Sequence, residues 1–242
     1  MEPIFLECMM DQLSIFSDLT EERYLYQETT VYDLLDKLAS FFKRLTNDLL
    51  AFGKRVKSDI QAFIDKQSIR IKLKKMKNEL NVQSDEGVRY VKMVDVDEYL
   101  DTYKSYEVKL IKQLDFFAKG NFKTREKMIR FADKLENDLD AMEKDLDRIV
   151  KNKVKISIKD AIRYVDENLN GKSNAEAVYV DACHRLNDIR IKVEHSLKDQ
   201  ALRTDASFSN EYVGIVKRAT TKITKKIAKA YSKIVLCIFA YF

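Results

Sequence analysis

Chain breakers are nearly missing from this sequence. Its 242 residues hold one proline, Pro3, and five glycines, Gly53, Gly87, Gly120, Gly171 and Gly214. Average usage would give about twelve prolines and about seventeen glycines. Few punctuators mean few tight turns, hence few, long elements. The same shortage excludes glycine loops that cradle phosphates, and no Gly-x-Gly-x-x-Gly or Walker pattern occurs. No Gly-x-Ser-x-Gly elbow or His-Glu-x-x-His motif occurs either.

Cysteine and histidine are also scarce. Cys8, Cys183 and Cys237 are far apart and odd in number, so no disulfide framework is implied and a reducing, cytoplasmic setting is expected. His184 and His195 lie eleven residues apart on one predicted helix. They return to nearly the same face but stand about 16 Å apart along the axis, too far to share one metal. Asp181 and His184 have the i, i+3 spacing of di-iron carboxylate bundles, but such sites need a second pair that is not there. No catalytic, cofactor-binding or metal-ligating residue is therefore assigned, and a non-enzymatic role is expected.

Long apolar runs are lacking as well. No uncharged stretch approaches the roughly 20 residues that a membrane-spanning helix needs. The N-terminal "MEPIFLECMMDQLSIF" is apolar but carries Glu2, Glu7 and Asp11 and no basic region, so it makes a poor signal peptide. An intracellular location follows as the expectation.

What is plentiful is charge and apolar surface together, at 34% and 45% of residues. That is too apolar for a disordered chain and suits long helices with solvated faces. The clearest helix starts at Thr30 and Asp33, a pair placed like a capping box. Val31, Leu35, Leu38, Phe42, Leu45, Leu49, Phe52, Val56, Ile60 and Phe63 follow in steps of three and four. Leu34, Phe41, Leu50 and Ile64 widen the stripe, which favours a bundle helix over a two-stranded coiled coil. The helix is expected to run on to about Leu80.

After the loop "NVQSDEG", residues 88–94 read as extended. A helix capped by Asp95 or Asp97 follows, with Tyr99, Leu100, Tyr103, Leu110, Leu114 and Phe117 at helical spacing. A second seam carries Met128, Phe131, Ala132, Leu135, Leu139, Met142, Leu146 and Ile149. Its outer face is acidic, with Asp133, Glu136, Asp138, Asp140, Glu143, Asp145 and Asp147. Val154, Ile156 and Ile158 alternate, and 154–158 can pair with 88–94 as a minor two-stranded β element. A helix then starts behind Ser157 and Asp160. Another begins at the capping box Ser173 and Glu176 and turns Val178, Ala182, Leu186, Ile189, Val193 and Leu197 inward to about Leu202. The expected fold is mainly α, an elongated bundle of about five to six helices. Residues 1–202 form that bundle, and residues 203–242 form a basic amphipathic C-terminal helix starting near Ser209, docked on the bundle or on a neighbouring subunit.

The excess charge sits in that last helix. Lys217, Arg218, Lys222, Lys225, Lys226, Lys229 and Lys233 against Glu211 give residues 211–242 a net +6, so the first 210 residues carry a net −1. These seven cations are candidate contacts for an anionic partner. Val216, Ala219, Ile223, Ile227, Ala230, Ile234 and Ile238 line one face, in phase with the uncharged "IVLCIFAYF". Ile223, Ile227, Ile234, Ile238 and Phe239 are the candidate apolar docking residues. A basic amphipathic helix suits a partner groove or a membrane interface. The favoured reading docks it in the bundle, with its lysines facing the acidic helix 133–147. A secondary basic cluster, Arg70, Lys72, Lys74, Lys75 and Lys77, wraps around its helix and fits a solvated collar better than a nucleic-acid face.

The "MEPIFLE" opening, the Lys/Asp/Tyr-rich helices, the near absence of proline and glycine, and the basic tail together resemble, in style, helical structural or internal virion proteins of large tailed phages. "IFLE" is also similar to the Leu/Ile-then-Glu sites cut by prohead proteases. The resemblance transfers no functional residue; it implies an assembly role, with incorporation in a virion. The expected function is that of a structural or assembly protein acting through helix contacts, as a homo-oligomer or in a larger assembly. A membrane-associating or membrane-disrupting protein is the second reading, and a nucleic-acid packaging factor the third.

Overall fold

The computed structural model describes residues 31–66, 69–82, 90–119, 124–169, 174–201 and 206–239. Among these the protein is mainly α: seven helices and one two-stranded antiparallel sheet. They are α1 (Val31–Lys66), α2 (Ile69–Val82), β1 (Tyr90–Met93), α3 (Val96–Ala118), α4 (Arg125–Lys151), β2 (Val154–Ser157), α5 (Ile158–Leu169), α6 (Asn174–Ala201) and α7 (Ala206–Phe239). The stretch expected as one helix to Leu80 is described as α1 and α2, which raises the count above five to six. Residues 67–68 lie outside the description, as do Thr30, Ser173 and residues 240–242. The last helix starts at Ala206, earlier than the expected Ser209.

The seam of α1 is buried at Leu34, Leu38, Phe41, Phe42, Leu45, Leu49, Phe52 and Val56. Leu50, expected to widen the stripe, is exposed instead. The side chains of Ile60, Phe63, Ile64 and Leu197 lie outside the description. Asp95 caps α3, its carboxylate accepting from the Glu98 amide at 3.0 Å. The strand pair forms as the alternation implies, in the register Tyr90↔Ser157, Val91↔Ile156, Lys92↔Lys155 and Met93↔Val154. It ends one residue before Ile158, because the Ser157 hydroxyl accepts from the Asp160 amide and starts α5 there.

Helix α7 is the axis of the molecule. It packs on α1, α3, α4 and α6, and α5 meets it as well. The surrounding helices form an arc in which α1 touches α6, α6 touches α3 and α3 touches α4. The arc is open between α1 and α4, which share at most a marginal contact among the described residues. Of residues 209–239 only Arg218 and Lys222 are exposed. A helix buried on nearly every side is a core element, not an amphipathic cover.

Four buried tyrosines tie this axis together. Tyr99 donates to the Ala230 carbonyl at 3.0 Å and Tyr103 to that of Ile227 at 3.3 Å. Tyr212 donates to the Ala118 carbonyl at 2.8 Å, its ring stacked on Phe117. Tyr179 donates to the Leu49 carbonyl at 2.7 Å and stacks on Tyr231 of α7. Each phenol buries its ring and still satisfies its hydroxyl, the arrangement that makes a buried tyrosine favourable. Gly53 makes room for this contact: a Cβ there would stand 3.0 Å from the Tyr179 ring.

Candidate interaction surfaces

The candidate apolar docking residues Ile223, Ile227, Ile234, Ile238 and Phe239 are all buried in the bundle formed by this chain. Val216, Ala219 and Ala230 of the same stripe are buried with them. The small polar residues between them are buried too. Thr220 and Thr221 donate to the carbonyls of Val216 and Lys217 at 2.8 and 2.9 Å, and Ser232 to that of Lys229 at 3.0 Å. A hydroxyl satisfied by its own helix turn can enter a core at little cost.

The candidate cations of α7 divide by position. Lys222 pairs with Glu136, Lys226 with Glu143 and Lys233 with Asp147. Lys229 donates to the second oxygen of Glu143 at 2.5 Å. Lys217 lies over the Phe41 ring, 5.4 Å from its centre. Arg218 is exposed and Lys225 half-buried. Hydrogen bonds from Lys226 and Lys229 hold the Glu143 carboxyl down at about 2, against a usual 4.5. Glu136, Glu143 and Asp147 of α4 thus meet four lysines of α7, while Asp138 and Asp145 turn to α3.

A groove remains on the open side of the arc, between α4 and α7, with a volume of about 300 Å³. Ile129, Ala132, Leu135, Ile215 and Ala219 give it apolar walls. Asp133, Glu136 and Glu211 stand at its rim against Arg218 and Lys222. Ile129 is 45% exposed there. Glu211 also accepts from Arg125 at 2.8 Å.

The secondary basic cluster lies on α2. Leu73 is buried and turns Lys72, Lys74 and Lys75 outward, while Lys77 pairs with Asp166 of α5 at 3.0 Å. The side chain of Arg70 lies outside the description. Lys72, Lys74 and Lys75 therefore turn away from the bundle, while Lys77 turns towards it.

His184 and His195 are both exposed on α6. Among the described residues no group of three or more His, Cys, Asp or Glu side chains is placed to hold a metal ion. Cys183 is buried and burial raises its thiol pKa to about 11. Nearby, Glu107 is 1% exposed, and burial pushes its carboxyl up although Arg185 opposes the shift. Arg185 stands 3.9 Å from Glu107 and 2.6 Å from Asp181. No described helix is long and apolar enough to cross a membrane.

The sequence reading missed one surface. On β1–β2 the side chains of Lys92 and Lys155 are directly opposite and exposed, beside an exposed Tyr90. The alternation of lysine at 151, 153 and 155 was the available signal, since period two places 153 and 155 on one face of a strand. No family model matches the chain, and neither do the curated proteins or solved structures compared with it.

Proposed function

We propose that this chain is a non-enzymatic helical structural protein that assembles with copies of itself through the α4–α7 groove. The observation that carries this is the groove's composition. Its walls are apolar and its rim has both signs of charge, which suits an amphipathic helix that also bears both signs. The outer faces of this chain's own helices are of that kind, so a second copy is the fitting occupant. A polyanion would meet Asp133, Glu136 and Glu211 there, and like charges facing each other oppose binding. The resemblance to internal virion proteins supports placing the assembly in a virion.

A membrane role for α7 would require its apolar stripe to leave the core. That stripe is the floor on which four other helices pack, so its exposure would dismantle the bundle. Light scattering on a size-exclusion column tests the proposal. The chain is expected to elute as a dimer or larger species at micromolar concentration. Ile129→Asp is expected to shift it to monomer while leaving the thermal midpoint nearly unchanged. A wild-type monomer, or an assembly indifferent to Ile129→Asp, would overturn the proposal.

A further inference from the structure

The exposed face of β1–β2 carries charge that no described residue pairs with. Lys92 and Lys155 are direct cross-strand partners, and both are exposed. Like charges directly opposite in an antiparallel pair destabilise the pairing. Lys151 and Lys153 are exposed on the approach to β2. None of the four lysines forms an ion pair with a described residue. Tyr90, two residues from Lys92 and hence on the same face, is 59% exposed. The apolar members of both strands, Val91, Met93, Val154 and Ile156, take the opposite face, with Met93 buried.

We propose that this face binds single-stranded nucleic acid, lysines to the phosphate backbone and the Tyr90 ring stacked on a base. The proposal is independent of self-assembly through the groove. Lys92 and Lys155 across the pair stand about 5 Å apart, and Tyr90 lies about 7 Å along its strand from Lys92. Such steps are commensurate with successive phosphates of an extended single strand. A flat aromatic beside a lysine track is the combination that binds single strands without sequence preference. A bilayer would want apolar side chains beside the charge, and here they face inward. A bound phosphate chain would also remove the Lys92–Lys155 repulsion, which links binding to a feature otherwise unfavourable.

Fluorescence anisotropy with a labelled single-stranded DNA of about twelve nucleotides tests this on the full chain. Affinity should fall with salt, with a log–log slope near −2, as about three lysine–phosphate contacts require. Lys92→Glu with Lys155→Glu should lower affinity at least tenfold. Tyr90→Ala should lower it about fivefold or more for the single strand and leave duplex binding of the same sequence unchanged. Lys155→Glu alone should weaken binding while the thermal midpoint stays level or rises, because a Lys–Glu pair then replaces Lys–Lys. That combination separates a lost binding face from a damaged fold. Absence of binding at low salt, affinity unaltered in the double variant, or preference for vesicles containing phosphatidylserine over the oligonucleotide would each overturn the proposal.

Discussion

Along α7, Lys222, Lys226, Lys229 and Lys233 each reach a carboxylate of α4, whereas Lys92 and Lys155 on the sheet are cross-strand partners that pair with no described carboxylate. The side chain is the same and the setting is opposite. On α7 three acids of a neighbouring helix, Glu136, Glu143 and Asp147, meet the four lysines, so this basic stretch becomes a seam between helices. On the strand pair two lysines from separate, less conspicuous stretches are left for solvent. Lysine density along a sequence therefore does not locate an anion-binding surface. The presence of an acidic face packed in register against the lysines decides it.

The difference can be attacked first at its apolar base. Ile238→Asp sets an unpaired charge on the buried stripe of α7 and is expected to cost about 4 kcal/mol or more, read as loss of cooperative unfolding in denaturant. A loss below about 1 kcal/mol would mean that α7 is not the core. Glu143→Lys comes next. It removes the acceptor of Lys226 and Lys229 and adds a third cation, an expected loss of about 2 kcal/mol, partly restored by Lys226→Glu. If Lys226→Glu restores nothing, the seam is a coincidence of geometry.

Acid sharpens the same point with a smaller effect. Glu143 is depressed to about 2 by its two lysines, below its unfolded 4.5. A depressed carboxyl contributes stability that is present above pH 4.5 and is lost as pH falls towards 2. Asp115 and Asp138 are lowered too; burial opposes the shift, and hydrogen bonds from Lys192 and from Lys109 outweigh it. Glu107 acts with the other sign: raised by burial, it contributes below pH 4.5 and loses that as pH rises. Glu126 is lowered as well, and four depressed groups against one give an expected fall in thermal midpoint between pH 4.5 and 2. A midpoint level across that window would show the paired carboxylates to be unimportant. The smallest effect belongs to the sheet, where Lys155→Glu should raise stability by no more than about 0.5 kcal/mol.

Much of the architecture was legible in the sequence because it rests on periodicity. The seams of α1 and α4, the Asp95 cap and the pairing of 88–94 with 154–158 all follow from spacing that only one face of an element can satisfy. The acidic face of α4 and the lysines of α7 were legible as complements for the same reason. The central position of α7 was not. Its second and third buried faces are made of Thr220, Thr221, Thr224, Ser232, Ala228 and Tyr231, which a polar–apolar pattern counts as neutral or solvated. Thr220, Thr221 and Ser232 enter the core because their hydroxyls bond back to their own helix, a local device that leaves no mark on hydrophobic periodicity. The sheet surface was missed because its lysines are brought together by cross-strand register, not by sequence distance.

Truncation before Ile234 tests the central position of α7 most directly. Residues 234–239 hold Ile234, Val235, Ile238 and Phe239, all buried against the rest of the bundle. If α7 is the axis, a chain ending at Lys233 should show a thermal midpoint lowered by well over ten degrees, or no cooperative transition at all. A truncated chain that melts at the wild-type midpoint, and has lost only binding to anionic vesicles, would contradict that placement and make the end of α7 an interfacial segment.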